Sequence, residues 1–260
     1  MKKDSPSLYI FAPDIHYPLT NWPTFNAILD FISKNKVDGF IFGGDQFDNQ
    51  EISHHTKKQL RLRFEAKTLD INTKGFDKKI LSPIEAKLPD DCEKVWIEGN
   101  HDFWLTQYID EHPELEGSLE RPNTLHLSER GFRVFECGTI FRKGKINFIH
   151  GETLSGIGNQ VSGLPARKAL EAYCGNVVFG HFHSLQVFTK VMPHDQSQKW
   201  MAVCSPCIGE TNAHYMRNRP HSFVNGFVIV EIQANGNFNI FPVVVTKGQF
   251  VYGGKVYGGK

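Results

Sequence analysis

Long apolar runs are missing from this chain of 260 residues. No stretch approaches the roughly 18 consecutive apolar residues that a membrane-spanning helix needs, which excludes a helical membrane protein. Cysteine is scarce and odd in number: Cys92, Cys137, Cys174, Cys204 and Cys207 are the five. So sparse a set does not make a secreted disulfide framework. Cys204 and Cys207 are separated by two residues but have no second pair with which to build a zinc site, and they follow the apolar run Met201 to Val203, so they read as buried thiols. Charge of one sign is also missing, with 29 basic against 28 acidic residues and a net charge of +1. The net charge therefore rules out neither an anionic nor a neutral partner, because the two signs can still be locally segregated. The segment Met1-Lys2-Lys3-Asp4 leads into a strand-like run without a signal-peptide pattern, so the expected location is the cytoplasm.

What is present is a regular α/β pattern. Leu8 to Ala12 and Phe40 to Gly43 read as buried strands, and Phe25, Ile28, Leu29 and Ile32 between them have the spacing of an amphipathic helix. Val95 to Glu98, Ile146 to His150 and Val177 to Gly180 repeat the theme of an apolar run stopping at a polar motif, and Ala166, Ala169, Leu170 and Tyr173 form a helical stripe. Two hairpins are expected. In one, Phe132 to Phe141 and Asn147 to Ile149 flank Lys143-Gly144-Lys145; in the other, Phe227 to Ile232 and Phe238 to Val245 flank Asn235-Gly236-Asn237. The expected organisation is one domain over residues 1–250 with a helical insertion at about 50–92. A glycine-rich tail at 251–260, where Val-Tyr-Gly-Gly-Lys occurs twice, is expected to be mobile.

Polar motifs collect where the strands end: Asp14-Ile15-His16, Gly44-Asp45-Gln46-Phe47-Asp48, Gly99-Asn100-His101-Asp102, His150-Gly151 and Gly180-His181-Phe182-His183. Alone, Asp14-x-His16 is an ordinary polar strand end and His150 an ordinary buried histidine. Together, carboxylates, an amide and imidazoles on one sheet edge suit a pair of cations, and α/β folds bind ligands at such edges. Hydrolysis of a phosphate ester needs a nucleophile at neutral pH and compensation of charge on the attacking and leaving oxygens, which two cations about 3.5 to 4 Å apart provide.

The five blocks, in this order, resemble the calcineurin-like metallophosphoesterase family from about Leu8 to about Pro206. The resemblance implies two packed mixed β-sheets flanked by helices, and a hydrolase that uses a metal-activated water. It implies Asp14, His16, Asp45 and His183 as ligands of one metal, and Asp45, Asn100, His150 and His181 as ligands of the other, with Asp45 as the bridge. Mixed nitrogen and oxygen donors fit manganese first, with iron or zinc as alternatives, and fit calcium poorly. His101 is implied as the acid that protonates the leaving oxygen, oriented by the Asp48 carboxylate; Asp102 is implied as a support of the motif's backbone.

The expected substrate is a phosphodiester, as nucleotide, DNA or RNA. The alternatives are a phosphomonoesterase or protein phosphatase, or a non-catalytic scaffold of the same fold. Protein phosphatases of the family carry an arginine after the second aspartate of G-D-x-x-D, whereas Asn49-Gln50 follows here, and scaffolds usually lose ligands that this chain keeps. Lys57, Lys58, Arg61, Arg63 and Lys67, with His54 and His55, form a basic stretch that suits a phosphate backbone or a solvated helix face. His214, Arg217 and Arg219 make a second cationic loop.

Overall fold

The computed structural model describes residues 5–53, 68–156, 164–213 and 221–259. The first strand, β1 (Ser7–Ala12), runs parallel to β2 (Gly39–Gly43), and the intervening α1 (Trp22–Lys34) forms the crossover. Helix α1 starts where Asn21 accepts the Thr24 backbone N–H at 3.1 Å and Pro23 occupies the first turn. These are the signals that satisfy an orphan donor and preset φ at a helix start. Its Phe25, Ile28 and Ile32 are buried against the sheet as the sequence spacing predicts, joined by Phe31, while Leu29 is only half-buried.

After α1 and β2, the helix α2 (Leu69–Phe76) passes through a π turn at Asp77–Leu81 into a last turn at Ser82–Glu85. Its Phe76, Ile80, Leu81 and Ile84 join the same core as Phe42 and Trp96. The described part of the expected insertion is therefore helical, and it packs under the sheet. The basic stretch from His54 to Lys67, and the loop with His214, Arg217 and Arg219, lie outside the described residues.

Two mixed sheets result. In the first, β11 (Phe238–Val244), β10 (Gly226–Ile232), β1, β2, β3 (Glu93–Ile97) and β4 (Phe132–Phe135) lie side by side in that order. In the second the order is β5 (Phe141–Lys143), β6 (Ile146–Ile149), β7 (Asn176–Phe179), β9 (Asp195–Cys204) and β8 (Gln186–Met192). Tyr9, Phe11, Ile41, Val95 and Ile97 of the first sheet meet Phe148, Val178 and Val203 of the second in one apolar layer. Helices α1 and α2 cover the outer face of the first sheet, and a helix at Pro165–Tyr173 covers that of the second through Ala166, Ala169 and Leu170. Four layers follow from strands that are apolar on both faces. No helix among the described residues is long and apolar enough to cross a membrane.

Two expectations need correction. The run Phe132 to Phe141 is not one flank of a hairpin. Its first part, β4, pairs in parallel with β3, and only β5 pairs with β6, because the chain leaves one sheet for the other through Gly138 at φ +82°. The expected tail at 251–260 is, over its described residues 251–259, built into the fold rather than free. It belongs to a hairpin of β12 (Gln249–Tyr252) and β13 (Lys255–Gly258), with Val251 opposite Val256. Gly253 and Gly254 turn at φ +55° and +75°, the two left-handed positions of a tight hairpin turn.

Strand alternation sends Phe250 and Tyr257 inward to stack at 5.3 Å and to meet Phe31 of α1, while Val251 and Val256 face out. Tyr257→Ala is expected to cost about 3 kcal/mol or more, as large-to-small changes in an aromatic core do. Val256→Ala should change stability by less than about 0.5 kcal/mol. Urea unfolding of the two variants checks the difference.

Candidate metal centre

The five motif loops leave the same end of both sheets. Asp14 and His16 follow β1, Asp45 follows β2, Asn100 follows β3, His150 follows β6, and His181 and His183 follow β7. Main-chain hydrogen bonds sew the loops together: Asp14 N–H to Gly44 O and His16 N–H to Asp45 O at 2.9 Å, and Gly180 N–H to His150 O at 2.8 Å. Asp14, His16, Asp45, His181 and His183 all hold φ between +49° and +67°. Asp, Asn and His tolerate this left-handed region better than other residues, and its cost is accepted mostly at functional sites. Two glycines let the loops close. A Cβ on Gly44 would lie 2.2 Å from His150 Nδ1, and one on Gly99 would lie 2.2 Å from Asp45 Oδ1.

Donor atoms converge in three overlapping groups: Asp14, His16 and His183; Asp45, His150 and His181; and His16, Asp45 and His101. Within each group the donor atoms lie within 4.8 Å of one another. Asp45 Oδ2 is 3.2 Å from His150 Nε2, 3.7 Å from His16 Nε2 and 4.0 Å from His101 Nε2. His183 Nε2 is 3.4 Å from Asp14 Oδ1 and 3.1 Å from His16 Nε2. Asn100 Oδ1 reaches His150 Nε2 at 3.2 Å. All seven residues assigned as ligands from the resemblance thus enter one constellation, with Asp45 between the two halves.

The imidazoles are oriented by the nitrogen that faces away from the centre. His150 Nδ1 lies 3.0 Å from the Gly43 carbonyl and His16 Nδ1 3.2 Å from Asp48 Oδ1; with a proton on each Nδ1, both Nε2 atoms are free to bind a cation. The carboxylates are held as well. Asp14 accepts the His181 N–H at 3.0 and 3.1 Å, and Asp45 Oδ1 accepts the His101 N–H at 2.8 Å. His101 lies in the first turn of α3 (Asn100–Asp110), so the positive end of that helix also faces Asp45. Asp102 Oδ2 returns to the Gly99 N–H at 2.9 Å and closes the helix start, so it supports the motif's backbone.

The Asp48 assignment is corrected in part. Its carboxylate holds His16 rather than His101, whose Nδ1 lies 3.8 Å from Asp48 Oδ1. The contact of His101 is with the Asp48 main-chain carbonyl, at 2.8 Å from Nδ1, which leaves Nε2 turned toward Asp45. The indole of Trp104 backs the ring at a centroid distance of 3.9 Å.

Electrostatics fit a cation pair. Burial opposes charge on His150 and His16, but the Asp45 carboxylate and the hydrogen bonds to Asp45 and Asp48 prevail, raising the two rings to about 10 and about 9. Burial by itself would raise the carboxyl of Asp45; the His150 and His101 rings hold it well below the usual range instead. Burial, with His150 nearby, lowers His181 to about 4, and burial is also the largest influence lowering His101. The carboxylates therefore demand positive charge, and protons on His16 and His150 supply it when no metal does. Metal loading at pH 7, below both raised values, is expected to release about two protons per chain, because imidazole ligates only when neutral. Calorimetry in buffers of different ionisation enthalpy reads that number, and buffer-independent heats would contradict it.

Two residues that the sequence does not single out brace this site. Asn49, at φ +49°, donates to the His101 carbonyl at 2.9 Å and accepts from Arg121 at 3.1 Å. Arg121 is buried, stacks its guanidinium 4.0 Å above Phe47, and also donates to Thr73 and to Leu69 O in α2. Arg121 gives no periodic signal, and Asn49 stands beside the second motif without belonging to it. Asn49→Ala would remove a partner of a buried cation, with an expected loss of about 1.5–3 kcal/mol measured by urea unfolding.

Among solved structures, the chain is similar to Vacuolar Protein Sorting 29 from Cryptosporidium parvum (13% identity, 97% of this chain and 95% of that one, TM-score 0.46). It is also similar to a conserved uncharacterised protein of Streptococcus pneumoniae described as a predicted phosphoesterase (13%, 97% and 96%, 0.43). A third is wild-type Vps29 complexed with zinc from Entamoeba histolytica (12%, 96% and 95%, 0.42). No curated protein matches the sequence. The family profile described as Calcineurin-like phosphoesterase matches residues 9–185, from β1 through the two histidines after β7, and so contains every residue of the constellation. The chain belongs to the calcineurin-like phosphoesterase family.

Proposed function

We propose that the protein is a binuclear metal-dependent phosphodiesterase acting on nucleotides or nucleic acid. The observation that carries this reading is the position of Asp45, whose Oδ2 faces His150 on one side and His16 on the other. One metal would be held by Asp14, His16, Asp45 and His183, and the other by Asp45, Asn100, His150 and His181. A cation pair supplies a water nucleophile at neutral pH and compensates charge on the phosphoryl oxygens. Donors of this mixed kind suit manganese, with iron or zinc next.

The protein's own groups supply the rest. His101 Nδ1 donates to the Asp48 carbonyl and Nε2 is left facing the centre, so the ring would protonate the leaving oxygen from its doubly protonated form, which the Asp45 and Asp48 carboxylates favour against burial. Asp48 holds His16 in register for its metal, and Asn49 with Arg121 fixes the His101 backbone. An alkoxide leaving group needs that proton, which fits an acid aimed into the centre.

The test is an assay of the purified protein, stripped of metal and reloaded with manganese, iron or zinc in turn, on an aryl phosphodiester and the matching monoester. The expected result is metal-dependent turnover with the diester preferred. Preference for the monoester would replace diester cleavage with phosphomonoesterase activity, and no turnover with any of the three metals would overturn catalysis altogether.

A further inference from the structure

A groove of about 830 Å³ opens at the pole of the sheets opposite the metal ligands. Its walls are the starts of β6, β7 and β9 and the turn between β10 and β11. Lys145 precedes β6 and His150 follows it; five residues of strand put the groove roughly 16 Å from the metal centre. Its charge is segregated. Arg142, Lys145 and Lys199 line it, and among the described residues no carboxylate does, in a chain whose acids and bases are almost equal in number.

Elsewhere on the surface Lys34, Lys36, Lys94, Arg133 and Lys143 each meet a carboxylate within 2.9 Å. Arg142, Lys145 and Lys199 form no such ion pair among the described residues, and Lys145 reaches only the Asn237 side-chain oxygen, at 3.0 Å. The wall behind them is fixed: buried Asn176 donates to Lys145 O and accepts the Met201 N–H, at 3.0 and 2.9 Å. Half-buried Tyr173, Trp200 and Phe238 line the same groove, and amide side chains fill much of its remaining surface.

Cations without counter-charges, rings on which a base can stack and amides that can read its edge are the elements of a nucleotide site. We propose that this groove binds a nucleoside phosphate, as a free nucleotide or as a unit of a single strand. Lys145, Lys199 and Arg142 take the phosphate and the aromatic side chains take the base. The site is separate from the metal centre and does not rest on the catalytic reading.

The exposed free thiol of Cys174 lies in the groove wall and reports its occupancy. Metal-loaded protein is alkylated with N-ethylmaleimide in the presence of an adenosine methylene-bridged diphosphate, which resists hydrolysis, or of inorganic phosphate. Binding of a labelled phosphorothioate oligothymidylate is followed in parallel by anisotropy. The nucleotide should protect Cys174 at concentrations where phosphate does not. Lys145→Gln with Lys199→Gln should weaken that protection roughly tenfold or more, since charge-assisted contacts to phosphate are lost. Trp200→Leu should weaken nucleotide binding alone.

Hydrolysis of an aryl phosphodiester should be unchanged in the lysine variant, so loss of this site and loss of the metal-centre reading are read separately. A strand that binds much more tightly than the nucleotide, with a salt slope that falls by about 0.7 for each lysine removed, identifies nucleic acid as the source. Equal affinities identify a free nucleotide. Protection by phosphate equal to that by the nucleotide, or protection indifferent to the lysine pair, would overturn the proposal.

Discussion

Asp45→Asn is expected to deplete both metal positions and to abolish measurable turnover. Its Oδ2 faces His16 Nε2 in one half of the constellation and His150 Nε2 in the other, while Oδ1 is occupied by the His101 N–H. Asparagine keeps the shape but loses the charge that both cations would share. Loss of a group that only orients a ligand typically weakens a metal by about 10- to 100-fold, so loss of a shared ligand should exceed that at both positions. His16→Ala, by contrast, should deplete one position and leave the other loaded. Metal content per chain, measured beside turnover, separates the two variants. An Asp45→Asn protein that kept two tightly held metals and normal activity would refute the bridge.

The second large effect is expected at His101. Alanine there should preserve metal content, because the ligand set is untouched, and lower turnover by roughly 10² to 10⁴-fold, the usual contribution of a positioned proton donor. The leaving group makes the test specific. A nitrophenolate departs without a proton and should be cleaved almost normally, whereas an alkyl or sugar leaving group should carry the full loss. Equal losses on both would rule out general-acid catalysis.

Asp48 enters this comparison in two ways. Asp48→Asn keeps the main-chain carbonyl that contacts His101, but changes the carboxylate that holds His16. It should therefore affect metal retention more than leaving-group dependence, the reverse of what a carboxylate on His101 would give. Asn49→Asp separates another role, since a carboxylate can still accept from Arg121 but can no longer donate to the His101 carbonyl.

Much of this centre is legible in the chain because its motifs are local. Each stands at the end of an apolar run, and a strand buried on both faces delivers whatever follows it to the sheet edge, so Asp14, Asp45, Asn100, His150 and His181 are found without coordinates. The parallel pairing of β1 with β2 is likewise readable from two apolar runs and a helical stripe between them. The terminal hairpin was also written in the sequence, as two glycines between paired Val-Tyr segments. Its repetition makes it look like low-complexity chain, and only contact with Phe31 shows that the tyrosine face is buried.

What the sequence by itself determined is the inventory: which donors exist, that they lie at strand ends, and which chemistry such donors support. Only the tertiary structure decided the pairings. Asp48 and His101 are close in any reading of the motifs, yet which of the aspartate's oxygens meets which ring depends on the left-handed turns that follow β1 and β2. The Asn49 and Arg121 contact joins residues from separate elements, and the cationic groove joins the starts of three strands with a distant turn. Such contacts arise when packed sheets fix the separation of loops far apart in the chain, and no local periodicity encodes that separation.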